Sequence, residues 1–161
     1  VTPSGILVVT KFPEYKRFDT NRSAIFLDQI SDPGNMGTII RTAAWFGLDQ
    51  IILSKGCIDP FNPKVVASAM GSHFQLRFLG QEKLDLINNY HWIGASAEGK
   101  PLDQLKSLDQ KWVLVMGSEA HGINNKIKSK LDKIYSIPRI GKGESLNVGV
   151  AMGIFLSKLA R

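Results

Sequence analysis

Five side chains in this sequence have the types and placing to orient and transform a polar ligand: Asn35, Arg41, Glu119, Ser145 and Asn147. Asn35 follows the turn-forming run Asp32-Pro33-Gly34, where an Asn can cap a helix that starts there. Arg41 stands six residues further on, among small and apolar residues, and its planar guanidinium suits a phosphate. A plain cap for Asn35 and a snorkelling surface side chain for Arg41 are the simpler readings. Glu119 lies in the run Gly117-Ser118-Glu119-Ala120-His121-Gly122, directly after an apolar stretch. Its carboxylate can accept hydrogen bonds from a sugar or an amine, and Gly117 lets another group approach the backbone. An ordinary strand-to-helix loop would look the same. Ser145 stands where it can cap the last helix, which places Asn147 in the first turn. Asn is a poor choice there unless its amide has a partner. Backbone N–H groups at such a helix start can also hold a ligand carboxylate.

The elements that position these residues are legible as alternating patterns. Short apolar runs at 6–9, 24–27, 51–53, 91–94 and 112–116 read as strands buried on both faces. Helical spacing of apolar residues marks 36–46, 63–70, 81–89, 124–131 and 146–159. The alternation predicts an α/β fold, a mostly parallel sheet with helices on both faces. No repeat, low-complexity tract or linker interrupts the 161 residues, so one domain is expected. Ligands of such sheets gather at the carboxyl ends of the strands. That singles out the loops 29–35, 95–100, 117–123 and 138–145, which carry all the chemistry above except Arg41 and Asn147.

Composition narrows the classes further. With 43% hydrophobic and 21% charged residues, the chain can build a core and is not a disordered segment. No stretch approaches the ~18 apolar residues of a membrane span. Lys and Arg number 20 against 14 Asp and Glu, a net charge of +6. That balance suits a polyanion such as nucleic acid, or solubility alone. The single Cys57 cannot form an intramolecular disulfide, and no export signal is seen, so a cytoplasmic protein is expected.

Several familiar sites are excluded. Residues 94–101 have the spacing of a phosphate-binding loop, but Pro101 stands where a hydroxyl must bind Mg²⁺. No G-x-G-x-x-G opens a helix. His73, His91 and His121 are far apart, and Cys57 has no ligand at metal spacing, so no metal is expected. Ser118 and His121 are close in sequence but lack a nucleophile elbow and a third member.

Taken together, the three segments resemble the motifs of the SPOUT superfamily, in its SpoU/TrmH branch of RNA ribose 2′-O-methyltransferases. The pattern N-x-G-x-x-x-R-x-A is met by Asn35, Gly37, Arg41 and Ala43; G-x-E-x-x-G is met by Gly117, Glu119 and Gly122. Ile137-Pro138 and Ser145-Leu146-Asn147-Val148 match the third. Two departures stand out. Arg139 replaces an apolar residue after Ile-Pro, where it is expected to alter packing of the cofactor loop or to touch RNA, and Gly149 replaces a Ser.

The resemblance implies a C-terminal deep trefoil knot at about 117–161, a topology otherwise almost absent from proteins. It implies S-adenosylmethionine held by the backbone of Gly117, Ile137 and Leu146 and by the loop from Ala95. It further implies RNA (tRNA or rRNA) as partner, and a homodimer with the last helix in the interface. Arg41 would be the essential residue, with Asn35, Ser145 and Asn147 orienting it and the ribose, and Glu119 supporting them. A guanidinium is a poor base, so Arg41 is expected to position groups or to act with an RNA phosphate. Many family members carry a small RNA-binding domain ahead of a segment like 4–9. A chain opening on Val1 is therefore expected to be the catalytic domain without that element. The rivals are a non-catalytic RNA binder of the same fold and a base methyltransferase; the Ser145-Leu146-Asn147 run favours the ribose.

Overall fold

The computed structural model describes residues 5, 6, 8, 9, 11, 17–106 and 108–160. Among them are six strands: β1 (Ala24–Asp28), β2 (Gln50–Leu53), β3 (Arg77–Gly80), β4 (His91–Pro101), β5 (Trp112–Gly117) and β6 (Lys133–Ser136). The helices are α1 (Pro33–Trp45), α2 (Pro63–Ala69), α3 (Asn125–Lys128) and α4 (Val148–Leu159). All strand pairs are parallel, in the order β3-β2-β1-β5-β4-β6.

The two faces of the sheet follow from the two-residue period of a strand. Ile25 and Leu27 of β1, with Leu114 and Met116 of β5, turn to one side and pack on α1, α2 and α4 through Ile39, Ile40, Val65, Met152 and Phe155. Ala24, Phe26, Val113 and Val115 turn to the other side. There they meet Ile127 of α3, Ile123, and Ile87 from a 3₁₀ segment at Gln81–Ile87. Both faces are covered, as continuous apolar runs require, but the three longer helices share one of them.

Several sequence expectations are corrected. The run at 6–9 is not a strand where it is described: Ile6, Val8 and Val9 are exposed and belong to no element, while Leu7 lies outside the described residues. Helix 81–89 is a 3₁₀ segment, and 124–131 shrinks to α3. β3 and β6 were not expected. Each is a four-residue edge strand with one buried residue, Phe78 or Tyr135, too short to show a pattern. β4 runs on through Pro101 beside β6, with a bulge between Ala95 and Lys100, so the phosphate-loop spacing lies within a strand.

The winding reverses between β1 and β5, which opens a crevice at their carboxyl ends. α1 starts there because Asp32 caps it and Pro33 presets its first turn. Among the described residues no helix is long and apolar enough to cross a membrane.

Candidate active site

Asp28 and Gly117 end β1 and β5 side by side and floor the crevice. A Cβ on Gly117 would lie 2.2 Å from the carbonyl carbon of Gly122, so only glycine lets the loop fold back on its strand. Asp28 fastens the far end of that loop. Its Oδ2 accepts from both the backbone N and the Nδ2 of Asn124, each at 2.7 Å. Asn124 in turn caps α3. The sequence reading missed Asp28; the available signal was an acid closing an otherwise apolar strand.

Across the crevice α4 begins at Asn147, whose Oδ1 accepts from Gly149 N at 2.9 Å and Val150 N at 3.4 Å. The expected cap, Ser145, is thus displaced two residues downstream, because 145 and 146 remain in the loop with Leu146 half-exposed. A matching correction holds at α1, where Asp32 accepts from Asn35 N at 2.7 Å and is the cap expected of Asn35. Both asparagines are therefore placed to reach each other. Asn147 Nδ2 donates to Asn35 Oδ1 at 2.6 Å and to Glu119 Oε1 at 3.1 Å. Glu119 Oε1 also accepts from Val148 N at 3.2 Å. One amide joins three segments that are far apart in the chain.

The two departures also find their places. A Cβ on Gly149 would lie 2.6 Å from Thr38 Cγ2, so a Ser there would collide with α1. Arg139 Nη1 donates to Gly143 O at 3.1 Å and packs the loop after β6. Gly37 serves packing as well, facing Ser68 of α2.

Ala95, Gly117, Ile137 and Leu146 line one cleft of about 880 Å³, together with Ser145 and with apolar Met116 and Phe155. Glu119, Glu144 and Arg139 also line it. Its volume lies within the range of small-molecule sites. Ser145 makes no hydrogen bond to the Asn35–Glu119–Asn147 junction among the described residues. Arg41 is exposed on α1 and likewise unbonded to the junction among the described residues. Six helical residues carry it about 9 Å along the axis from Asn35 and about 240° around it. The structure thus gathers Asn35, Glu119 and Asn147, places Ser145 on the cleft, and leaves Arg41 on the outer surface.

Neither the Ser118–His121 pair nor Cys57 is arranged as a nucleophile. His121 donates to Ser118 Oγ from its backbone N, at 3.2 Å, and among the described residues its ring makes no hydrogen bond to Ser118. Burial pushes the Cys57 thiol up, which keeps it protonated and unreactive near neutral pH.

Residues 22–157 match the SpoU rRNA Methylase family. The chain belongs to that family. It is 34% identical over 164 residues to the 23S rRNA (guanosine(2553)-2′-O)-methyltransferase RlmP of Bacillus subtilis, which takes in 98% of this chain and 65% of that protein. Among solved structures it is similar to the SpoU methyltransferase AviRb from Streptomyces viridochromogenes in complex with AdoMet. The TM-score is 0.80 at 26% identity, over 87% of this chain and 60% of that one. An AdoMet-bound rRNA methyltransferase from Sinorhizobium meliloti gives 0.79 at 29% identity, over 85% and 55%. This SpoU-family chain therefore spans between 55% and 65% of the length of these three relatives.

Proposed function

We propose that this chain transfers the methyl group of S-adenosylmethionine to the ribose 2′-oxygen of a nucleotide in tRNA or rRNA, as a homodimer in the cytoplasm. The observation that carries the proposal is the amide of Asn147, bonded to Asn35 and Glu119 where the cleft ends. The cleft fits the cofactor. Met116 and Phe155 offer apolar walls to an adenosine, and Glu119 and Glu144 offer carboxylates to a sulfonium and an ammonium. Ala95, Gly117, Ile137 and Leu146 would hold it. When bound, S-adenosylmethionine supplies a methyl group already activated toward an oxygen nucleophile.

What is left to the chain is alignment and management of one proton. Asn35 and Asn147 are fixed by each other and by Glu119, so their positions are set before a ribose arrives. The Nδ2 of Asn35 and the Oε2 of Glu119 make no hydrogen bond among the described residues and remain for ribose hydroxyls. Arg41 stays protonated at any physiological pH and cannot itself take the 2′-OH proton. Its exposed place on α1 suits a grip on an RNA phosphate that positions the strand, and the proton released on methyl transfer passes to solvent. Ser145, on the cleft wall, would help seat the ribose against the methyl donor.

The homodimer is supported by apolar side chains left in the open on two touching helices: Trp45 of α1 (86% exposed) with Val150 (51%) and Ile154 (36%) of α4. A family-type knot at about 117–161 is supported by the path of the chain, which leaves the sheet edge at β6 and returns to pack α4 on α1.

Calorimetry with S-adenosylmethionine, followed by tritiated-methyl transfer into RNA, tests the proposal. Binding and transfer are expected, and Arg41→Ala should abolish transfer while cofactor binding survives. RNA binding with no heat from S-adenosylmethionine would mark a non-catalytic RNA binder and overturn the proposal. A methyl group mapped to a base would overturn the ribose assignment.

A further inference from the structure

A second chamber of about 340 Å³ lies beside the cleft, lined among others by Gln29, Ser31, Asn35, Gly56 and His121. Ser118, Glu119 and Val148 line both spaces, so cleft and chamber meet at the Asn35–Glu119–Asn147 junction. Its wall holds an unusual residue. Gln29 has φ +57°, a left-handed conformation that glycine adopts freely and other residues adopt at a cost. The conformation is held in place by a hydrogen bond, Gln29 N donating to Ser54 Oγ at 2.9 Å, and the Gln29 side chain runs beside Gly56. The side-chain amide itself makes no hydrogen bond among the described residues. A left-handed backbone that holds an exposed carboxamide at the wall of a chamber next to an active site points to recognition.

We propose that this chamber receives the base of the nucleotide whose ribose is methylated, and that Gln29, with Ser31 and His121, reads that base. The inference rests on the methyl-transfer reading above. A ribose held at the junction has the methyl donor on the cleft side, so its base has the chamber side to enter. A carboxamide carries one acceptor and two donors, the complement of a nucleobase edge. An imidazole offers a face on which an unstacked base can rest. Recognition of this kind requires the target base to leave its stack, as in other enzymes that handle single nucleotides.

The test titrates AMP, GMP, CMP and UMP into the protein saturated with S-adenosylhomocysteine and follows side-chain NMR signals. One nucleotide should bind about three- to ten-fold more tightly than the weakest, the worth of one net hydrogen bond. Its shifts should fall on the Gln29 amide and the His121 ring. Gln29→Ala and Gln29→Gly should keep wild-type affinity for S-adenosylhomocysteine and lose the preference. The glycine variant relieves the backbone, so a loss of preference there cannot be put down to misfolding. If either variant keeps the preference, or the shifts fall elsewhere, the base chamber is overturned and the methyl-transfer reading stands. If S-adenosylhomocysteine fails to bind the wild type, both are overturned.

Discussion

At Asn147 one side chain does two things with its two ends: the oxygen caps α4, and the nitrogen ties Asn35 to Glu119. A substitution can separate them. Asn147→Asp keeps an acceptor for the cap but sets a second carboxylate against Glu119 and leaves Asn35 Oδ1 without its donor. Methyl transfer should fall by about 10- to 100-fold while α4 remains capped, the cost of an unpaired polar group beside a like charge. Steady-state rates beside a thermal melt check this, and an unchanged rate would show that the junction is structural only. Cys57 gives a pH-dependent prediction. Burial raises its thiol above the ordinary value of 9.0, so its contribution to stability is complete below that value and is lost as pH rises through the higher folded one. Cys57→Ala should therefore flatten the decline in melting temperature at alkaline pH. Thiol labelling near pH 8 should run more slowly in the folded chain than in the denatured one.

Helix α4 meets α1 closely because Gly149 lies under Thr38 and Gly153 near Thr42. Gly149→Ala should cost about 1–3 kcal/mol by overpacking, and Thr38→Ala, which removes the Cγ2 in the way, should restore part of it. Denaturant unfolding of the two single variants and the double reads the coupling directly, and additive losses would refute the contact. The central elements were legible in the sequence for a simple reason. β1 and β5 are buried on both faces, so their apolar runs are unbroken, and α1 combines a turn, a proline and a full apolar stripe. The edges were not legible: in Arg77–Gly80 and Lys133–Ser136 the residues alternate with too few positions to establish a period. Conversely, Ile6, Val8 and Val9 have strand-like chemistry yet stand exposed. Of the five candidate residues the fold brings Asn35, Glu119 and Asn147 into one hydrogen-bonded group and leaves Ser145 and Arg41 outside it, a division that spacing along the chain does not show. Sequence spacing correctly gave Asn147 a need for a partner, and only the fold shows that the partners are Asn35 and Glu119. Spacing also put the caps on Asn35 and Ser145, because Asx and Ser residues a few positions apart compete for the same role.

The chain carries a net charge of +6 and still exposes Trp45 beside a helix bearing Val150 and Ile154. Exposed apolar groups on two packed helices fit an interface better than a free surface. Sedimentation should show a dimer, and Trp45→Glu should shift it to monomer at micromolar concentration; a monomeric wild type would refute the homodimer. The junction has one more consequence at this scale. Asn35 and Asn147 are separated by 112 positions, and Glu119 enters from a third place. No fragment of the chain short of α4 contains the whole arrangement, so it exists only once the last helix has docked. A ligand that binds there selects the completed fold over every partial one, and by mass action its occupancy becomes resistance of the entire chain to unfolding.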